Sequence, residues 1–228
     1  MKFSVALAAY KGEKYLKAQL ESILPQLAPD SQVVVSDDLP DGKIRDIIAA
    51  LGDSRVEYVE GASKGVCANF ENALRRCTGD VIFLCDQDDC WLPDKVAEVM
   101  KAIGNGADLV LHDAFVTDAD LNVTEPSYFA VHSSNSSFVA NIVRNSFVGC
   151  CMAFRRELLD FCLPFPADLP MHDWWIALAA MKKHKKVVLL NKSLIYWRRH
   201  GETVTGKKNS FAKMLKWRIR IISELIKL

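Results

Sequence analysis

The 228-residue chain has no apolar run long enough to cross a bilayer as a helix. Its longest, Trp174 to Met181, has eight residues, against the roughly 20 that a span needs. It has no Cys-x-x-Cys pair among its seven cysteines, Cys67, Cys77, Cys85, Cys90, Cys150, Cys151 and Cys162. An odd count in a chain of this size fits reduced thiols in a cytosolic protein rather than a disulfide framework, so the sequons at Asn122 and Asn135 are expected to be unused. It has no large charge excess either: 29 Lys+Arg face 28 Asp+Glu, which excludes a polyelectrolyte. Intrinsic disorder and collagen-like repetition are excluded by a composition that is half apolar and a quarter charged. No internal repeat or linker is visible, and the length allows one large domain or two small ones with a core that needs no staples. Met1-Lys2 before the run Phe3 to Tyr10 has the look of a signal peptide. The run is short, holds Ser4 and leads into a charged helical pattern, so it reads as a buried strand.

What is present is an alternation of apolar runs and helical patterns. Phe3 to Ala9, Gln32 to Ser36, Arg55 to Val59, Val81 to Cys85 and Asp108 to His112 read as strands. Residues 13–27, Ile44 to Leu51 and Val66 to Arg76 read as helices, with Pro93 suited to the first turn of another. Continuous rather than alternating apolar strands imply a mostly parallel sheet covered on both faces. After Val116 the rhythm changes. Residues 118–136 are polar and read as a loop, Phe147 to Phe154 as a strand, Trp174 to Lys183 as a helix and Val187 to Leu190 as a strand.

Two strands end in carboxylates, at Asp37-Asp38 and at Asp86-Gln87-Asp88-Asp89. Ligands of open parallel sheets bind beyond the carboxyl ends of the strands, so both clusters point to one crevice. Clustered carboxylates repel unless something positive lies between them. A hard divalent cation, Mg²⁺ or Mn²⁺, suits oxygen donors shared with substrate phosphates. Turn and cap aspartates are the plainer reading of any single one. Met171-His172-Asp173-Trp174-Trp175 opens a helix. There Asp173 reads either as a dipole partner or as a base beside a flat sugar platform, and His172 and the tryptophans either as core or as that platform. Tyr196-Trp197-Arg198-Arg199-His200-Gly201, followed by Thr203 and Gly206, could reach a diphosphate or complete a metal shell.

Charge is uneven along the chain. From Lys207 to Leu228 there are seven Lys/Arg and one Glu, a charge of +6, and the remaining 206 residues carry −5. An acidic body argues against a nucleic-acid groove. In the tail, Phe211, Met214, Leu215, Trp217, Ile219, Ile221, Ile222, Leu225, Ile226 and Leu228 spread over one broad arc, with Lys213, Lys216, Arg220 and Lys227 opposite. A basic amphipathic helix of this kind can lie in a membrane interface, pack on its own domain, or pack on a second copy in a homodimer. All three stay open at this point.

These motifs together resemble the family 2 glycosyltransferases of the GT-A type, particularly bacterial rhamnosyl- and galactosyltransferase-like members, over roughly residues 2–206. The opening Ser4-Val-Ala-Leu-Ala-Ala-Tyr10 is similar to the family's first strand, Val35-Ser-Asp37-Asp38 to its nucleotide-binding strand end, and Lys64-Gly-Val-Cys-Ala-Asn69-Phe-Glu-Asn to its third helix. Cys85-Asp86-Gln87-Asp88-Asp89-Cys-Trp91 resembles the DxD element, His172-Asp173-Trp174-Trp175 the base-bearing segment, and Arg198-Arg-His200-Gly201 the late Arg-x-His-Gly element. The order is as specific as the motifs. One departure is visible, Asp37-Asp38-Leu39-Pro40-Asp41-Gly42 standing where the family often has Asp-Asp-Gly-Ser-Thr-Asp.

The resemblance implies a single α/β domain of GT-A (Rossmann-like) type over 1–206, with a nucleotide-sugar half at 1–116 and an acceptor half at 117–206, followed by the amphipathic helix at 207–228. It implies an enzyme that passes a sugar with inversion from a dTDP- or UDP-linked donor to a hydroxyl of a glycan or lipid-linked acceptor in cell-surface polysaccharide synthesis. The expected location is the cytoplasm, with peripheral contact at the inner face of the membrane. By the same resemblance Ala8, Ala9, Tyr10, Asp37, Asp38, Asp86 and Arg198 would hold the donor, and Asp88 and His200 the Mg²⁺ or Mn²⁺. Asp173 would be the general base, and Trp91, His172, Trp174 and Trp175 would form the sugar platform. Two other classes compete. A nucleotidyltransferase would want a Gly-rich basic loop, and residues 8–14 offer one Gly and two Lys. A non-catalytic sugar- or nucleotide-binding module gives no reason for paired carboxylates.

Overall fold

The computed structural model describes residues 1–201 and 210–228; Thr203, Gly206 and the boundary expected at 206/207 lie outside the described residues. The first half is a run of βα units: β1 (Phe3–Ala9), α1 (Leu16–Ile23), β2 (Gln32–Asp37), α2 (Lys43–Leu51), β3 (Val56–Glu60), α3 (Val66–Leu74) and β4 (Val81–Asp86). The strands are β-branched and apolar, and most of β1, β2 and β4 is inaccessible. That is what a sheet covered on both faces demands. In α1, Leu16, Leu20 and Ile23 are buried on one face at helical spacing.

The second half contains β5 (Cys90–Trp91), α4 (Lys95–Gly104), β6 (Leu109–Thr117), β7 (Val123–Glu125), α5 (Tyr128–His132), α6 (Phe138–Val143), β8 (Met152–Arg155), α7 (Leu159–Cys162), α8 (His172–Lys182), β9 (Val187–Arg198) and α9 (Phe211–Lys227). Together the strands form one mixed sheet, in the order β3-β2-β1-β4-β8-β6-β9-β5, with β7 paired to β6. The block β3-β2-β1-β4 is parallel. Strand β8 runs antiparallel between β4 and β6, and β6 pairs in parallel with β9.

This order decides where a ligand can sit. From β1 the chain steps outward through β2 and β3, then returns to place β4 on the other side. The strand ends flanking β1 therefore open a crevice at a switch point. Register makes the placement concrete: Ala9 lies opposite Asp37 and Ala8 opposite Asp86. Both acidic clusters thus share one edge.

Three expectations are corrected. The stretch 118–136 is not a loop throughout but holds β7 and α5. Asp113 on β6 organises it, accepting from Ser127 Oγ at 2.5 Å and Phe129 N–H at 2.9 Å, and Ser127 and Ser137 cap α5 and α6. The strand expected from Phe147 begins only at Met152, because Gly149–Cys151 form a 3₁₀ turn. Strand β9 runs eight residues past Leu190 and carries Arg198 to the acidic edge. Helix α8 is buried almost all round. No helix among the described residues is long and apolar enough to cross a membrane.

Candidate active site

The segment after β4 gives each of its four acidic or amide residues a separate task. Asp86 and Asp89 turn inward, and with the Cys150 thiol they bring their ligating atoms within 4.8 Å of one another. Burial pushes both carboxyls up, and like charge raises them further, from Asp89 and Asp88 at Asp86 and from Asp88 at Asp89. Hydrogen bonding from the Cys150 thiol partly offsets this for both. One oxygen of Asp89 accepts the Arg198 N–H at 3.0 Å, while its Oδ2 is buried without a partner among the described residues. Asp88 instead turns toward β9 and meets His200, Nε2 to Oδ2 at 2.8 Å. The two residues expected to hold the metal, Asp88 and His200, are thus brought together in the fold.

Gln87 is a residue that sequence reasoning passed over. Its amide closes a reciprocal pair with the end of β1, accepting from Tyr10 N–H at 2.7 Å and donating to Tyr10 C=O at 2.8 Å. Ala9 C=O is taken as well, by Asp38 N–H at 2.9 Å and by Asn69 Nδ2 at 2.9 Å. Ala8 is paired within the sheet. The backbone from Ala8 to Tyr10, expected to hold a base directly, is thus occupied within the protein, and what this segment turns outward is the exposed Tyr10 ring.

The two aspartates at the end of β2 are placed differently from each other. Asp37 is fully buried, accepting from Leu39 N–H at 3.1 Å and from Tyr58 OH at 3.3 Å. Its carboxyl is raised, chiefly by burial. Its oxygens shape the altered loop instead of facing a ligand. Asp38 uses one oxygen to accept from Gly65 N–H at 2.8 Å, and its Oδ1 has no partner among the described residues.

Arg198 is a strut rather than an open clamp. Its Nε donates to Asp88 C=O at 2.6 Å, its Nη1 donates to Ala119 C=O, and its guanidinium lies 4.6 Å over the Tyr15 ring. Tyr15 also lies beside His200, with ring centroids 5.0 Å apart. Lys95, likewise not singled out in the sequence, is buried behind the acidic edge. It donates to Cys150 C=O at 2.7 Å and lies 4.1 Å over the Trp91 ring.

Asp173 enters from the other half of the chain in the first turn of α8. It is only 3% exposed, and burial pushes its carboxyl up to about 7. The rise occurs although Trp174 N–H donates to it at 2.5 Å and the backbone at Gly149 also bonds it. Desolvation outweighs both these donors and the helix dipole. The charge of Asp173 in turn contributes to the rise at Asp86, and the turn it packs against at Gly149 leads directly into Cys150 of the Asp86–Asp89 cluster.

The expected sugar platform is not there. Trp91 packs against Phe83 with centroids 5.6 Å apart. Trp174 Nε1 donates to Asn141 C=O at 2.7 Å and Trp175 Nε1 to Cys162 C=O at 2.9 Å. His172 is stacked on Phe70 with centroids 3.9 Å apart, and burial drives its ring down to about 3. All four side chains are buried, and the three tryptophans belong to the hydrophobic core. The turn at Gly149 is fitted to this packing, since a Cβ there would lie 2.8 Å from His172 Nε2.

The donor chemistry of the acidic edge fits a hard cation. Asp86 and Asp88 offer oxygens, His200 a ring nitrogen, and Asp89 an orphaned buried oxygen. Cys150 does not fit as a ligand of such an ion, because a soft thiol is a poor match for a hard cation that takes oxygen donors.

A parallel block of βα units, a reversed strand beside it and paired acids at the switch point are the features of a GT-A transferase. The family model described as glycosyl transferase family 2 matches residues 4–163. The chain belongs to that family and is a glycosyltransferase. Among characterised relatives it is 22% identical to the dTDP-rhamnosyl transferase RfbG of Shigella flexneri, over 92% of this chain and 77% of that one. It is 27% identical to an Escherichia coli UDP-Glc:α-D-GlcNAc-diphosphoundecaprenol β-1,3-glucosyltransferase, WfgD, over 78% and 69%. An uncharacterised glycosyltransferase of Nostoc sp. is 24% identical over 88% of this chain, which spans 66% of its length. In structure, the chain superposes on residues 1–349 of S. aureus TarS in complex with UDP-GlcNAc with a TM-score of 0.78 at 20% identity, covering 98% of this chain and 66% of that fragment. The resemblance confirms the GT-A fold.

Proposed function

We propose that this glycosyltransferase moves a sugar from a UDP- or dTDP-linked donor to a hydroxyl of a glycan or lipid-linked acceptor in polysaccharide assembly, working on the cytoplasmic side. One observation carries the reading: Asp173 at the start of α8 packs against the turn at Gly149, where a Cβ would lie 3.7 Å from its own, and the next residue, Cys150, clusters with Asp86 and Asp89 from the end of β4, far away in sequence. Relatives named for dTDP-rhamnose and UDP-glucose transfer, and a structural neighbour bound to UDP-GlcNAc, support this donor class.

The roles follow from what each group has to spare. Asp38 Oδ1 is an acceptor without a partner among the described residues, so Asp38 rather than Asp37 is the carboxylate that meets the N3–H of uracil or thymine. Asp88 and His200, which meet at 2.8 Å, would hold a divalent cation; a structural neighbour, a mannosyltransferase of Pyrobaculum calidifontis, is described in complex with GDP-Man and Mn²⁺. Such an ion would neutralise charge on the diphosphate. Arg198 positions Asp88 by bonding its backbone carbonyl, and Asp89 by its own N–H.

Asp173 takes the proton of the acceptor hydroxyl. That oxygen forms the new bond to the anomeric carbon as the carbon–oxygen bond to the diphosphate breaks, giving inversion and a nucleoside diphosphate. A base pushed up to about 7 is matched to proton transfer near neutral pH.

The test is a thermal-shift panel of UDP, dTDP, GDP and CDP with and without Mn²⁺. A nucleotide at a hundredfold excess over Kd stabilises by about 2.7 kcal/mol. Asp88→Asn should remove the Mn²⁺-dependent part, and Asp173→Asn should keep the shift while losing transfer. No shift with any nucleotide would overturn the reading and favour a binding module without donor chemistry.

A further inference from the structure

Helix α9 has two apolar faces. One is spent on the domain: Ile221 and Leu225 are buried in the core, with Trp217 and Leu228 packed against it, beside α6 and α8. Two tethers fix the helix there, Arg218 Nε donating to Val143 C=O at 2.8 Å and Arg220 Nε to Ala167 C=O at 3.2 Å. The sequence left three occupants open for a single arc, and docking on the domain accounts for only part of it.

The other face has no partner among the described residues. Leu215, Ile219, Ile222 and Ile226 recur at spacings of four, three and four, which places them within about 60° of one another on a helix turning 100° per residue. They are 46%, 60%, 40% and 76% exposed. Val139 and Val143 of α6, at 69% and 59%, widen the patch on the side where Arg218 is tethered. Single exposed apolar residues need no explanation, but an aligned stripe of four does.

Charge says what covers it. The basic residues of the helix are not scattered: Lys216, Lys227, Arg220 and Lys213 fall in order on one flank of the stripe, and Arg218 on the other. Glu224, the single acid of the helix, is already paired with Lys227 and Arg220. On the basic flank Lys213, Lys216, Trp217 and Arg220 line a cleft of about 450 Å³ against Asp168 and Leu169. An apolar stripe bordered by cations is the pattern of a helix lying in an anionic lipid interface, with the stripe among acyl chains and the cations at phosphate level.

We infer that α9 docks the enzyme on an anionic phospholipid surface through Leu215, Ile219, Ile222 and Ile226, with Lys213, Lys216 and Arg220 receiving headgroup phosphates in that cleft. The surface then lies beside the 163–171 segment, held to α9 at Ala167, that leads into the helix carrying Asp173. Lipid binding itself requires no donor, metal or turnover, so it stands or falls separately from the transfer reaction.

The experiment is co-sedimentation of the full chain with vesicles of pure phosphatidylcholine and of phosphatidylcholine with 30% phosphatidylglycerol, in low and high salt. Binding is expected on the anionic vesicles and weakened at 0.5 M NaCl by screening. Ile219→Asp/Ile226→Asp should weaken it at least tenfold. Lys213→Glu/Lys216→Glu should weaken it as well, since each cation near an anionic surface adds roughly a fivefold gain in partitioning. These side chains are exposed, so urea unfolding should be unchanged and serves as the folding control. The inference is overturned by absence of binding to anionic vesicles at low salt, or by binding indifferent to the aspartate pair. It is overturned equally by a concentration-dependent dimer in sedimentation velocity that the aspartate pair abolishes, which would make a second copy the occupant.

Discussion

Replacing Asp173 by Asn should make the protein more stable and less active, with the gain in stability growing with pH. The unfolded chain releases this proton near 3.8 and the folded protein near 7. Between those values the unfolded state binds fewer protons, so stability falls as pH rises, and above 7 the loss is complete. The difference between the two values corresponds to about 4 kcal/mol at pH 8 and about 2 kcal/mol at pH 5. Asn removes the ionisation and still accepts from Trp174 N–H, the bond that Asp173 makes at 2.5 Å. It also relieves Asp86 of a like charge. Relative to the parent, Asp173→Asn should therefore gain roughly 2–3 kcal/mol more at pH 8 than at pH 5, or about 5–10 °C in Tm for a domain of this size. The assay is a pair of thermal melts at each pH, with sugar transfer measured alongside. Transfer should fall by about 10²–10⁴-fold, and the parent's kcat/KM should decline below pH 7 as the base becomes protonated. Equal Tm differences at the two pH values would refute the burial argument. Unchanged transfer would refute the role as base.

Gly79→Ala should be severe, costing more than about 3 kcal/mol. Its Cβ would lie 2.5 Å from the backbone of Phe3 and Ser4, which cannot yield without parting β1 from β4; soluble yield and urea midpoint check this. Gly149→Ala should cost about 1–3 kcal/mol, because the His172 ring it meets at 2.8 Å is held against Phe70. Its turnover should fall more than its nucleotide affinity, since the same turn adjoins Asp173, as steady-state kinetics beside a nucleotide titration would show. Lys95→Ala should cost about 2–4 kcal/mol by leaving a cavity and an unpaired Cys150 C=O. Lys95→Met, which fills the space, should cost less than half as much in urea unfolding at constant m.

The parallel half of the fold was legible because its signal is strong: continuous apolar strands, each followed by a helical period, leave one arrangement of layers. The second half was not, for physical reasons that differ by segment. Helices α5 and α6 are five and six residues long, too short for a period to show, and their only local mark is a capping serine. The Phe147–Phe154 run is apolar throughout, so a 3₁₀ turn and a strand look alike until Gly149 is seen pressed against His172. Strand β9 crosses Asn191, Lys192 and Ser193, whose polarity hides the continuity from Leu190 to Arg198.

The site shows a different limit, best seen in the segment Asp86-Gln87-Asp88-Asp89. Its composition announces a ligand, yet only orientation assigns the work. Asp86 and Asp89 point inward to a cluster with Cys150, Asp88 points across to His200, and Gln87 closes the end of β1. The aromatic residues show the same ambiguity from the opposite side. Trp174 and Trp175 read equally well as platform or core, and each indole N–H finds a backbone carbonyl inside the protein, which decides for core. Residue type limits what chemistry is available, while the direction of each side chain determines whether that chemistry faces a ligand or the fold. Asp173 illustrates why the two uses stay coupled: the burial that makes it costly to the fold is the same burial that brings its carboxyl to about 7, where it can accept a proton at neutral pH. A substitution that relieves the fold at this position removes the base, so stability and turnover must move in opposite directions there.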